Sequence, residues 1–185
     1  MKSLLRPPLP LGLLLLAACG AMLERSFKKS VEGVERTRAK PAPDCSPWQA
    51  TGAPNVTDAR AIDPLAWAPK DPDAGAEWLE VEFGEWVKAT SIRIHETGAT
   101  GGVVAIDGVD WYGAPLALWR GVDSTHEPGV FEVALDGART VRRARIRFDT
   151  ARHRGFEQID AVEVWGLGGP AWARSATASS YRGQK

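Results

Sequence analysis

His95-Glu96-Thr97-Gly98-Ala99 begins as a zinc-protease helix does, with a histidine ligand followed by a glutamate base. The second histidine such a site needs is replaced by Ala99, and the flanking residues alternate as a strand, so this is no metal motif. The 3 histidines, His95, His126 and His153, stand too far apart in sequence for metal-ligand spacing. Glu96, Asp149, Glu157 and Asp160 could form acid/base pairs, but carboxylates at strand ends are ordinary. No G-x-S-x-G elbow supports a serine nucleophile. Gly98, Gly101 and Gly102 link two strands and carry no G-K-S/T for phosphate. These residues predict no enzyme. Arg143, Arg145 and Arg147 share one strand face, and guanidinium forks match carboxylate and sulfate, so the row could bind an anionic polysaccharide. Glu80 and Glu82 on another strand would offset it at about 0.2–1 kcal/mol per cross-strand pair, which favours a structural role.

The elements that must carry these residues are strands. In "WLEVEF", Leu79, Val81 and Phe83 take one face and Trp78, Glu80 and Glu82 the other, with Gly84 ending the run. "SIRIHET", "VVAIDG", "LALW", "VFEVAL", "RARIRFDT" and "IDAVEVWG" follow at turn-separated intervals. No long amphipathic helix is supported after residue 48, so the pattern predicts an all-β sandwich or barrel with antiparallel or mixed sheets. The 185 residues fit one domain plus a leader, and 23 basic residues balance 23 acidic ones, which sets nucleic acid aside as a partner.

Lys2 and Arg6 precede the apolar run Leu11–Ala18, which is too short to span a bilayer and reads as a signal peptide. Leu16-Ala17-Ala18-Cys19 resembles the lipobox of bacterial lipoproteins, in which the cysteine thiol is alkylated by diacylglycerol. The resemblance implies residues 1–18 as signal peptide, Cys19 as lipidation site and a cell-envelope location, the outer membrane being favoured in a Gram-negative host because Gly20 is no retention signal. Residues 19–44 read as a charged, proline-containing tether reaching roughly 25–30 Å as a flexible coil. Its basic residues either rest on anionic head groups or are simply solvated. With Cys19 lipidated, Cys45 has no disulfide partner within the chain.

"WQATGAPN", "AWAP", "EWLEVEF", "IRIHET", "LWRGVD", "RIRFDT" and "FEQIDAVEVWG", in that order from Trp48 to Gly166, resemble the galactose-binding-like, discoidin-type jelly roll. The variant they are most similar to is associated with pappalysin and with bacterial surface proteins. The resemblance implies an antiparallel jelly-roll β-sandwich over residues 45–185 that binds ligands and has no catalysis of its own. It also implies a structural Ca²⁺ near the chain ends, for which Asn55, Asp58 and Asp63, with Glu163, are candidates; the rival reading is that these turn residues bond their own backbone.

In such folds ligands bind on loops, with sugars stacking on an aromatic while polar side chains bond the hydroxyls. That points to Trp111 and Tyr112, to His126 with Glu127, and to Arg152, His153 and Arg154, whereas Trp67, Trp78, Trp119 and Trp165 fall at structural positions. The first strand of the family pattern is missing before Trp48, and Ala176–Tyr181 supplies it late. Residues 176–185 therefore either fold back in cis, swap into a neighbour, or begin a truncated second copy. The chain is accordingly a monomer or a strand-swapped oligomer. The expected partner is carbohydrate or another surface ligand; the alternative is a scaffold subunit that contacts only protein.

Overall fold

A computed structural model describes residues 42–110 and 112–184. The signal peptide, Cys19, most of the tether and Trp111 lie outside the described residues. The strands are β1 (Ala76–Gly98), β2 (Val103–Val109), β3 (Pro115–Arg120), β4 (Gly129–Asp149), β5 (Glu157–Gly166), β6 (Gly169–Trp172) and β7 (Ser175–Ala178). Helical structure among the described residues is limited to short 3-10 turns at Pro47–Ala50 and Thr150–Arg152. The all-β expectation holds, and every ladder among the described residues is antiparallel.

Two strands are longer than the alternation suggested. "WLEVEF" and "SIRIHET" belong to one strand, β1, and "VFEVAL" and "RARIRFDT" to another, β4. Gly84, at φ +80°, bends β1 rather than ending it. Register shifts between Glu82 and Val87 and between Ala89 and Ser91 change which side chains face inward, from Leu79, Val81 and Phe83 to Ile92 and Ile94. Pairing with β4 resumes beyond each shift, so both strands cross from one layer to the other. One layer therefore runs β3-β2-β4-β1-β7, using the second half of β4 and the first half of β1; the other runs β4-β1-β5-β6 with the opposite halves.

Between the layers lie Trp67, Leu79, Ile92, Ile94, Ile106, Ile146, Phe148 and Ile159, each at most 2% exposed. Each such side chain contributes about 1.5–3 kcal/mol on burial. Trp67 packs on Phe148 with ring centroids 5.3 Å apart. Its indole N–H donates to the Ser180 carbonyl at 3.0 Å, which ties the C-terminal segment to the core. That segment lies in cis, with β7 pairing β1 from Leu79↔Ala178 to Glu82↔Ser175. Cys45 is buried and free, and desolvation raises its thiol pKa.

The charge stripes meet in register. Glu80 faces Arg145 and Glu82 faces Arg143 across the ladder. Arg145 grips Glu80 through Nε at 2.9 Å and Nη2 at 2.8 Å, while Arg142 reaches Glu82 at 2.8 Å. Arg147 and Arg120 both bind Asp107. Partial burial pushes that carboxyl up, but the two guanidiniums outweigh it and hold it below its usual range. These arginines thus have carboxylate partners on neighbouring strands.

Candidate functional site

Strand register sorts the candidate loops to opposite ends of the sandwich. Val103 pairs with Phe148, the Asp149 N–H reaches the Gly102 carbonyl at 2.9 Å and the Gly121 N–H reaches the Val104 carbonyl at 3.3 Å. Segments 98–102, 121–128 and 150–156 therefore meet at the start of β2. Val109 pairs with Pro115 at its other end, where the Asp110–Ala114 turn lies. Tyr112 is thus separated from His126, Arg152, His153 and Arg154.

At the turn end, the Asp110 side chain accepts the Tyr112 N–H at 2.9 Å and the Ala114 N–H at 2.8 Å. Gly113, at φ +85°, completes the tight turn. The turn thrusts Tyr112 outward, 92% exposed. Beside it opens a cavity of about 310 Å³ lined by Glu82, Trp86, Asp110, Arg142 and Arg143, with Val109 and Gly113. An indole, guanidinium donors and carboxylate acceptors in one open concavity suit a polyhydroxylated ligand. Tyr112 is legible in the sequence; Trp86 is not, and the signal for it is its place at the β1 bulge, where the alternation breaks.

The opposite end is sealed. His126, Arg152 and Arg154 are exposed and His153 is half-buried. The His153 ring bonds the Gly101 carbonyl at 3.0 Å, Arg152 binds Asp149 at 3.2 Å, and Glu127 pairs with Arg60 at 3.0 Å. Beneath them Glu96, Asp123 and Glu157 are 1%, 3% and 3% exposed. Burial, reinforced by Asp123 and Glu157, pushes Glu96 up to about 9. Burial and then Asp123 push Glu157 to about 8, against the Gly102 N–H, which reaches it at 3.2 Å. An added Cβ at Gly102 would lie 1.9 Å from the Glu157 carboxylate, which would have to move aside. In the sequence Glu96 and Glu157 are ordinary strand-end carboxylates, and nothing local marks the depth of Asp123.

The calcium candidates each make contacts of their own. Asp58 accepts the Arg60 N–H at 3.1 Å and Asp63 the Leu65 N–H at 2.9 Å, while the Asn55 N–H is held by Asp160 at 3.0 Å. Glu163 faces His95 at 3.3 Å and Arg93 at 4.0 Å on the sheet. Among the described residues no group of three or more His, Cys, Asp or Glu side chains is disposed to hold a metal.

No protein-family model matches the chain, and no curated protein matches it. Among solved structures, it is similar to chitosan-binding module 1 of a chitosanase/glucanase from Paenibacillus sp. IK-5. The two share 16% identity at a TM-score of 0.50, over 70% of this chain and 91% of the other. At that identity the likeness is one of fold.

Proposed function

We propose that the sandwich is a non-catalytic carbohydrate-binding module whose site is the turn-end cavity, carried on a cell-envelope lipoprotein anchored through Cys19. The observation that carries this reading is the open cavity where Trp86, Arg142, Arg143 and Asp110 gather beside the exposed Tyr112. The shared fold with a chitosan-binding module supports it. A sugar ring would lie against an aromatic side chain while the guanidiniums and carboxylates exchange hydrogen bonds with its hydroxyls.

The test is retention of the chain on chitosan, chitin, cellulose and a polyuronate, followed by titration with soluble oligosaccharides of whichever polymer retains it. Tyr112→Ala and Arg142→Ala should each weaken binding about tenfold, equivalent to about 1.4 kcal/mol. Wild-type affinity in both variants would discard the cavity as the site. A stoichiometric protein partner, with no response to any glycan, would replace the module with a scaffold.

A further inference from the structure

At the sealed end Glu96 stands near the close of β1, Glu157 opens β5, and Asp123 lies in the segment after β3. Both Glu96 carboxyl oxygens and Asp123 Oδ2 are buried without an ordinary hydrogen-bond partner. Asp123 and the Thr125 side chain are nevertheless both within hydrogen-bonding reach of Glu96, the first favouring its neutral form and the second its charged form, with burial and the acidic neighbours outweighing the second. The charged groups acting on Glu96 are Asp123 and Glu157, and those acting on Glu157 are Asp123 and Asp149; none is a cation. His153, from the 150–156 segment, spends a ring nitrogen on the Gly101 carbonyl. Two buried carboxyls that face each other without a cation bond only if a proton lies between them.

We infer that Glu96 and Asp123 share a proton that clasps segment 121–128 onto the end of β1, and that loss of this proton opens this end of the sandwich. The protonated Glu96 donates to Asp123 Oδ2, while Asp123 Oδ1 accepts the Thr125 N–H at 2.9 Å. The Thr100 hydroxyl then donates to the Thr125 carbonyl at 3.2 Å, closing the segment over segment 98–102. Release of the proton leaves two like charges in a medium of low dielectric, and water must reach them.

The fold decides what moves. Glu96 sits in a ladder on both sides, paired with Gly129 of β4 and Ile159 of β5. Segment 121–128 is held more lightly, by the Thr125 side chain on Glu96, the Thr100 bond, the Gly121 N–H bond to Val104 at 3.3 Å and the exposed Arg60–Glu127 pair. The segment therefore lifts and β1 stays. Burial keeps the Glu96 proton up to about pH 9, so the clasp is closed at neutral pH and opens in alkali.

The direct test follows the carboxyl carbons by NMR in the full chain from about pH 4 to 10, together with amide hydrogen exchange of segment 121–128. The Glu96 carbon should titrate well above pH 7. After correction for base-catalysed exchange, protection in segment 121–128 should fall at least tenfold more than in the β1–β4 ladder between about pH 7 and 9.5. Glu96→Gln, whose amide donates to Asp123 without titrating, should hold that protection level. A Glu96 carbon titrating near 4.5 would overturn the clasp using the wild-type chain alone, so the result does not depend on any variant folding. Equal loss of protection in Glu96→Gln would also overturn it. So would millimolar calcium restoring protection at pH 9 in wild type but not in Glu96→Gln, since the pair would then hold a metal rather than a proton.

Discussion

The two ends of this sandwich carry similar side-chain types and handle them oppositely. At the turn end, Glu82 faces Arg142 at 2.8 Å and Arg143 lies 3.7 Å from Glu80, with the cavity open beside them. At the other end Glu96, Asp123 and Glu157 lie under loops with no cation to offset them. An exposed ion pair contributes at most about 1 kcal/mol, and its groups stay available to a ligand. A buried carboxyl is kept neutral by desolvation and becomes a dependence of stability on pH. The difference teaches that charge at the open end is available for recognition, whereas at the sealed end it is coupled to folding.

The largest effect expected from this contrast is on pH-dependent stability. Folded Glu96 and Glu157 keep protons up to about 9 and 8, whereas the unfolded chain gives them up above 4.5. Their contribution is thus complete below pH 4.5 and is lost as pH rises through the folded values. Each group costs roughly 1.4 kcal/mol per pH unit inside that window, until opening of segment 121–128 becomes the easier route and caps the loss. Thermal melts should fall by about 10 °C or more between pH 5 and 8.5. Glu96→Gln should flatten part of that slope, whereas Glu82→Gln, at the open end, should leave it unchanged. A slope that Glu82→Gln flattens as much as Glu96→Gln would erase the contrast.

Next in size is Gly102→Ala. The added methyl must displace the buried Glu157 carboxylate, so a cost of about 1–3 kcal/mol is expected. Denaturant unfolding should show it, while glycan binding at the far cavity stays at the wild-type level. The complementary change is Arg142→Ala, which removes an exposed partner of Glu82 and should cost less than about 1 kcal/mol of stability. Its binding defect, set out above as about tenfold, makes the pair of variants a double dissociation of the two ends.

Much of the fold could be read from local pattern. The alternation of Leu79, Val81 and Phe83 and of Ala144, Ile146 and Phe148 marks the core faces because a strand's period of two is carried by neighbouring residues. The pairing of Glu80 with Arg145 follows from complementary stripes. What escaped was non-local. Gly84 looks like a strand end until pairing with β4 is seen to resume beyond it. Tyr112 and His153 belong to loops whose separation is fixed by the β2–β4 register, which no single stretch encodes. Glu96 and Asp123 are ordinary strand-end and loop carboxylates in the sequence, and only the folding of segment 121–128 over β1 brings them together.

The smallest expected effect tests whether the basic loop over the sealed end takes part in recognition at all. The sequence points to Arg152 as a sugar-binding residue, yet its guanidinium binds Asp149 at 3.2 Å, three residues back along the chain. Such a local, exposed pair contributes a few tenths of a kcal/mol. Asp149 itself acts on Glu157, raising its pKa, so removing the guanidinium leaves that carboxylate less neutralised and should push Glu157 further up. Arg152→Ala should therefore leave glycan affinity unchanged and shift stability at pH 6 by less than about 0.5 kcal/mol, with a slightly steeper loss above neutrality. A tenfold loss of glycan binding in Arg152→Ala, with Tyr112→Ala and Arg142→Ala unaffected, would move the recognition surface to the sealed end and reverse the roles assigned to the two.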